Sequence, residues 1–211
     1  AYQVAKSAKE LKRDMETALL SNVAKSAGNA TTARKLGGCP TWYETNVDAG
    51  SGGSGAGNGA IRTDGTQRAF TEDQLKGILV SCYNEGGNPN MIMVNAFNKQ
   101  KLSGFTGGST RFDAAEDRRL ITSIDVYESD FGTMQVAPNR FIRGANSTSA
   151  KIGQDAHILD MEYWAVSFLR DFSLQTPAQT ADADQRFMVA EYTLESRNEK
   201  ASGLITDLTT S

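Results

Sequence analysis

Apolar residues recur every three or four positions at the start of the chain, at Val4, Ala8, Leu11, Met15 and Ala18. This spacing predicts a helix with one apolar face, running from the first residues to about Val23 and stopped by Ala27-Gly28-Asn29. Lys6, Lys9, Lys12, Arg13 and Glu16 occupy its other sides. No N-cap residue precedes residue 1, which leads us to expect further chain upstream. Residues 34–47 follow no period and are expected to be extended and irregular, with Trp42 and Tyr43 as anchors. Glycine then occupies positions 50, 52, 53, 55, 57 and 59. Such a run has high backbone entropy and no side chains to pack, so an exposed, mobile loop is expected there.

The pattern becomes more regular after residue 70. Thr71 with Gln74 three positions on makes a capping box, and Leu75, Ile78, Leu79 and Cys82 form one helical face that ends at Glu85-Gly86-Gly87. A short buried strand is predicted at residues 91–94 and a short helix at 96–102. Residues 119–127 alternate, with Leu120, Ile124 and Val126 on one side; residues 128–132 turn, and 133–137 return as the second strand of a hairpin. Residues 144–155 and 175–184 read as loops. Residues 158–161 and 165–169 are candidate strands. Residues 187–197 give the clearest strand, with Met188, Ala190, Tyr192 and Leu194 on one face. A turn at 198–203 and a closing strand at 204–208 complete an α+β pattern with no internal repeat.

Composition narrows the function class. The chain has 211 residues, enough for a sizeable core, with 22 basic and 25 acidic residues and a net charge of -3. That balance argues against a protein whose main role is to coat nucleic acid or anionic lipid. Two distant cysteines, Cys39 and Cys82, make no disulfide framework or metal knuckle. The apolar runs are too short to span a membrane, and the charged N-terminal residues do not read as a signal peptide. A soluble, intracellular protein without enzymatic activity is expected.

The candidate chemistry is thin. Cys82 with His157 could make a thiol nucleophile and its base, which is the enzyme alternative, a thiol hydrolase. Cys82 sits on the apolar face of its helix, however, where a buried structural thiol is the simpler reading. His157 beside Asp155 reads as a surface or rim histidine. Glu116-Asp117 and Asp182 with Asp184 read as solvated loop charge, and Arg118-Arg119, with Arg111 nearby, as strand-flanking cations. The Gly-rich run has no following Lys-Ser or Lys-Thr to cradle phosphate. No catalytic, cofactor-binding or metal-ligating residue is assigned.

Several segments together carry a resemblance. They are Ala5-Lys6-Ser7-Ala8-Lys9-Glu10-Leu11-Lys12-Arg13-Asp14-Met15-Glu16, Thr45-Asn46-Val47, Asp130-Phe131-Gly132-Thr133, Val136-Ala137-Pro138-Asn139-Arg140-Phe141, and Glu191-Tyr192-Thr193-Leu194-Glu195-Ser196-Arg197-Asn198-Glu199-Lys200-Ala201-Ser202-Gly203. In this order they resemble the major head proteins of tailed bacteriophages of the SU10-like group, with the HK97-like capsid fold. The resemblance implies a peripheral-domain spine helix and following extended segment at 1–47 and a Gly-rich exposed loop at 48–69. It implies a mainly axial α/β domain at 70–155 and a return to the peripheral-domain β-sheet at 156–211. Family members carry an N-terminal arm and an extended loop before the spine helix, neither of which is found here.

The implied role is structural, a major capsid protein that self-assembles through hexamers and pentamers into an icosahedral or prolate head around the genome. Scaffold, portal and decoration proteins are its implied partners; DNA is touched only weakly and membranes not at all. It would be assembled in the host bacterial cytoplasm and reside in the virion. A non-viral compartment shell of the encapsulin type is the alternative within the same fold.

Overall fold

A computed structural model describes residues 2–105, 125–142, 152–178 and 185–210. Leu120, Ile124, Glu116-Asp117, Arg118-Arg119, Arg111 and Asp182 with Asp184 lie outside the described residues, as does most of the expected loop at 144–155. The described residues form three α-helices and eight strands.

Helix α1 (Tyr2–Leu20) stops three residues before the expected Val23. Ser21 turns back on it, its hydroxyl donating to the Ala18 carbonyl at 2.8 Å. The Asn22 side chain is drawn into the interior, where its Oδ1 accepts from the Arg62 amide at 3.2 Å. Val4, Ala8, Leu11, Met15 and Ala18 are all half-buried while most of the intervening positions are exposed, so the predicted face is the one that packs.

Helix α2 (Glu72–Asn84) forms where the capping box predicts it. The Gln74 amide donates to Thr71 Oγ1, and the Thr71 amide donates to Gln74 Oε1 at 3.0 Å. Leu75, Ile78, Leu79 and Cys82 are all at most 5% exposed. Strand β1 (Val47–Asp48) precedes it, and strand β2 (Met91–Val94) and helix α3 (Ala96–Ser103) follow.

Strands β3 (Val126–Ser129) and β4 (Gly132–Pro138) make the expected hairpin with a tighter turn at Asp130-Phe131. Val126, expected on its apolar face, is 60% exposed because β3 is the sheet's edge. Strand β5 (Ala156–Leu159) is followed by strands β6 (Trp164–Gln175), β7 (Phe187–Ser196) and β8 (Gly203–Ile205). Asp160 ends β5 early: its Oδ1 accepts from the Glu162 amide and caps a 3-10 turn at Met161–Tyr163. Asp207 ends β8 early by adopting φ 59.

Six strands form one sheet in the order β1-β8-β5-β2-β4-β3. β1 with β8 and β2 with β4 pair parallel; the remaining pairs are antiparallel. One face carries the main core, where α2 and Leu102 of α3 cover Ile92, Val94, Met134, Val136, Ile158 and Ile205. Gly203 lets α2 approach, since a Cβ there would run into the Ile78 side chain. The opposite face carries a second cluster of Cys39, Tyr43, Leu159 and Leu204, joined by Trp164 and Leu194. Tyr43 is fully buried, as its anchoring role requires. The C-terminal third is divided: β5 and β8 enter the six-stranded sheet, whereas β6 and β7 form a separate two-stranded ribbon.

The Gly-rich segment departs from expectation. Ser51, Gly52, Ser54 and Ala56 are exposed, but Gly50, Gly57 and Gly59 are buried. Backbone hydrogen bonds pin the segment: the Gly57 amide to Tyr43 O (3.1 Å), the Gly59 amide to Thr41 O (3.0 Å) and the Thr66 amide to Ser51 O (2.9 Å). A Cβ on Gly50 would strike the Thr66 carbonyl oxygen. Glycine here serves close backbone approach, and the run is a packed, hydrogen-bonded fold of chain.

Candidate functional site

The Gly-rich segment delivers Arg62 into the interior. Its guanidinium is wholly buried, with Nη2 2.8 Å from Asp155 Oδ1 and Nη1 2.8 Å from Asp64 Oδ1 and 3.4 Å from Asp207 Oδ1. Asp207 also accepts from the Gly50 amide at 3.0 Å and from the Thr206 hydroxyl at 2.8 Å. Three carboxylates thus surround one cation. Burial pushes Asp155 up to about 7, against the lowering pull of Arg62. Asp207 is also penalised by burial, but donors from Gly65, Thr206 and Gly50, with Arg62, hold it below the usual carboxylate range. None of this was assigned from the sequence.

The residues proposed for thiol chemistry do not meet. Cys82 is on the α2 side of the sheet, within the main core, where the Asn46 amide group donates to its sulfur at 3.6 Å. His157 is on β5, between Ala156 and Ile158, which face that core. Strand alternation sends His157 to the opposite face, against Cys39 and Tyr43. Its Nδ1 lies 3.5 Å from the Tyr43 hydroxyl and 3.9 Å from Cys39 Sγ. His157 is fully buried, not a rim residue. Burial, helped by Arg62, pulls it down to about 3, and burial raises both thiols to about 12. A histidine held neutral beside inert thiols is packing chemistry. Among the described residues, no group of three or more His, Cys, Asp or Glu is placed to hold a metal, and no helix is long and apolar enough to cross a membrane.

The distinctive outer feature is the β6–β7 ribbon. Nine residue pairs register along it, with bulges flanking Arg170. Arg170 grips Glu191 with two hydrogen bonds, at 3.0 and 2.7 Å. Apolar side chains stand open on the ribbon: Leu169 is 75% exposed, and Phe168, Leu174 and Phe187 are each above 40%. Helix α1 lies over part of it, with Lys12 Nζ 5.7 Å from the Phe172 ring centre. Between the ribbon and residues 26–36 runs a groove of about 840 Å³, lined by Arg34, Lys35, Leu36, Phe168, Leu169 and Tyr192 among others. The strand expected at 165–169 extends over Trp164–Gln175; adjacent Phe168 and Leu169 interrupt the alternation from which strand length is read.

The main sheet, its helices and a projecting ribbon under a long helix can be compared with known proteins. No curated protein matches the chain. Among solved structures it is similar to the chain in the cryoEM structure of the holo-SrpI encapsulin complex from Synechococcus elongatus PCC 7942, with a TM-score of 0.56 and 11% identity. The alignment covers 99% of this chain and 65% of that one, so the present chain spans about two-thirds of that relative's length. At such identity the likeness is one of fold, the HK97-like shell fold. The family model described as SU10 major capsid protein matches residues 1–209, and the chain belongs to that family of phage capsid proteins.

Proposed function

We propose that this chain builds the head shell of a tailed phage by self-contact, as the repeating subunit of hexamers and pentamers. The observation that carries the reading is the β6–β7 ribbon. A two-stranded ribbon is marginal in water, and exposed apolar patches on one mark an interaction surface. Here Leu169, Phe168, Leu174 and Phe187 are left open in the single chain. In a closed shell, repeated heterologous contacts turn such faces inward, and many modest contacts per subunit add up.

In this reading α1 is the spine of a peripheral domain with β6–β7 as its sheet. The six-stranded sheet with α2 and α3 forms the axial domain, whose β3–β4 turn and α2 end point toward the symmetry axes. The buried charges and thiols serve stability, and no turnover of substrate is expected. Scaffold and portal proteins are its proposed partners in the bacterial cytoplasm, and DNA contacts are weak and non-specific.

Electron microscopy of the full-length gene product, co-expressed with any adjacent scaffold gene, tests this. Closed shells or rings of five and six are expected; a small monodisperse species with and without scaffold would overturn the reading. The likeness to an encapsulin supports a second reading, a non-viral compartment shell. Terminase and portal genes beside this one support the phage head, and an enclosed cargo enzyme supports the compartment.

A further inference from the structure

Among the described residues, the Arg62 cluster sets two wholly buried carboxyl groups, Asp155 and Asp207, against one buried guanidinium. Arg62 and Asp155 have no exposed side-chain surface, and Asp207 likewise has none. Asp64, the third carboxylate, is about a quarter exposed and can keep its charge in contact with water. Among the described residues Asp155 Oδ2 is buried with no hydrogen-bond partner, while Oδ1 accepts from Arg62. A buried ionised carboxylate with one unpartnered oxygen is costly, and a neutral carboxyl is much less so.

We propose that Asp155 carries a proton in the folded chain and that the Arg62 cluster is a proton-linked clasp on the Gly-rich segment. The clasp joins three parts of the chain. Asp155 precedes β5, Asp207 follows β8, and Arg62 and Asp64 belong to the folded-back segment. Asp207 holds both ends of that segment, accepting from the Gly50 and Gly65 amides. The segment is closed on itself by the paired amides and carbonyls of Ser54 and Thr63.

Among the described residues, the charged and titratable groups facing Asp155 are Arg62, Asp64 and Asp207, with Cys39 and Tyr43 beyond them. His157, two residues along, is held neutral by burial and supplies no compensating charge. The upward shift of Asp155 to about 7 agrees with the charge count.

The sign follows from linkage. When the segment opens, Asp155 meets water and returns to an ordinary carboxylate range. The closed form therefore binds the extra proton between roughly pH 4 and 7, and opening becomes easier as pH rises through that window. Asp207, shifted downward, acts in the opposite sense and only at lower pH. Acidification tightens the clasp; neutral pH loosens it. The inference concerns the subunit itself and stands apart from the shell reading.

Two measurements on the full-length protein test it. Carboxyl-carbon NMR should give Asp155 a midpoint near neutrality, moved down in Asp64→Asn because a neighbouring negative charge is removed. Hydrogen exchange over residues 50–66, corrected for the intrinsic pH dependence, should show opening at least about tenfold more frequent at pH 7 than at pH 5. Asp155→Asn should abolish that dependence. An Asp155 carboxyl already ionised at pH 5, or protection of residues 50–66 that does not vary with pH, would sink the proposal. If Asp155→Asn does not fold, the wild-type titration decides alone.

Discussion

Arg62 Nη2 meets Asp155 Oδ1 at 2.8 Å with both side chains completely removed from water. Removing the cation leaves Asp207 and Asp155 buried without it. Arg62→Met is expected to lower stability by about 3–5 kcal/mol, the usual cost of orphaning a buried charge. A urea midpoint that scarcely moves would mean the cluster is hydrated and loosely held. Adding Asp155→Leu to Arg62→Met should recover part of the loss, because it removes a buried carboxyl that has lost its guanidinium donor.

Gly50 and Gly77 should respond in opposite directions to alanine. At Gly50 a Cβ strikes the Thr66 carbonyl, so Gly50→Ala should cost about 1–3 kcal/mol, as overpacking does. At Gly77, inside α2, a Cβ meets nothing within 4 Å. Gly77→Ala should raise stability by about 1 kcal/mol through helix propensity. Thermal melting of the two variants gives the comparison directly.

Both thiols should be inert in the native protein. Burial raises Cys39 and Cys82 to about 12, so at pH 8 almost no thiolate is present. A colorimetric thiol reagent should titrate neither cysteine until denaturant is added. Rapid native modification of Cys82 would reopen the question of thiol chemistry.

Leu169→Glu should separate folding from assembly. The side chain is 75% exposed, so the change should stay within about 0.5 kcal/mol of wild type in the isolated subunit. Shell or ring formation, counted by electron microscopy, should fail. Normal shells from Leu169→Glu would remove this residue from the interface.

Leu11→Ala should cost less in the single subunit than a fully buried leucine. Such truncations cost about 2–5 kcal/mol in a closed core. Leu11 is only half-buried, so about 1 kcal/mol is expected by area. No loss at all in a denaturant titration would mean that α1 does not rest on this face.

How much of this was legible depended on whether the signal was local. Thr71 and Gln74 are three residues apart, and Leu75, Ile78, Leu79 and Cys82 lie within eight, so α2 could be read before it was seen. The resemblance to SU10-like head proteins was also legible, in segments spread along the chain, and the family match agrees with it. The Arg62 cluster was not. Asp155 lies 93 positions from Arg62 and Asp207 lies 145, and only the sheet's topology brings them together. His157 reads as a rim residue because Asp155 stands beside it in sequence, but Asp155 is buried too. The glycine run reads as a mobile loop, but Gly50 admits the Thr66 backbone where no Cβ fits, and Gly57 and Gly59 use their freedom to hold positive φ against the Glu44 and Lys25 side chains.

Strand β8 sits between β1 and β5, so residues 203–205 are what join the edge strand at 47–48 to the strand at 156–159. On the ribosome, α2, β2 and α3 emerge long before the strand that closes the gap. A nascent chain must hold Cys82, Ile158 and the rest of the core face half-covered until residue 205 has left the exit tunnel. A product that ends before residue 203 therefore lacks the strand that joins β1 to β5 and leaves Cys82 and Ile158 open to solvent and to proteases.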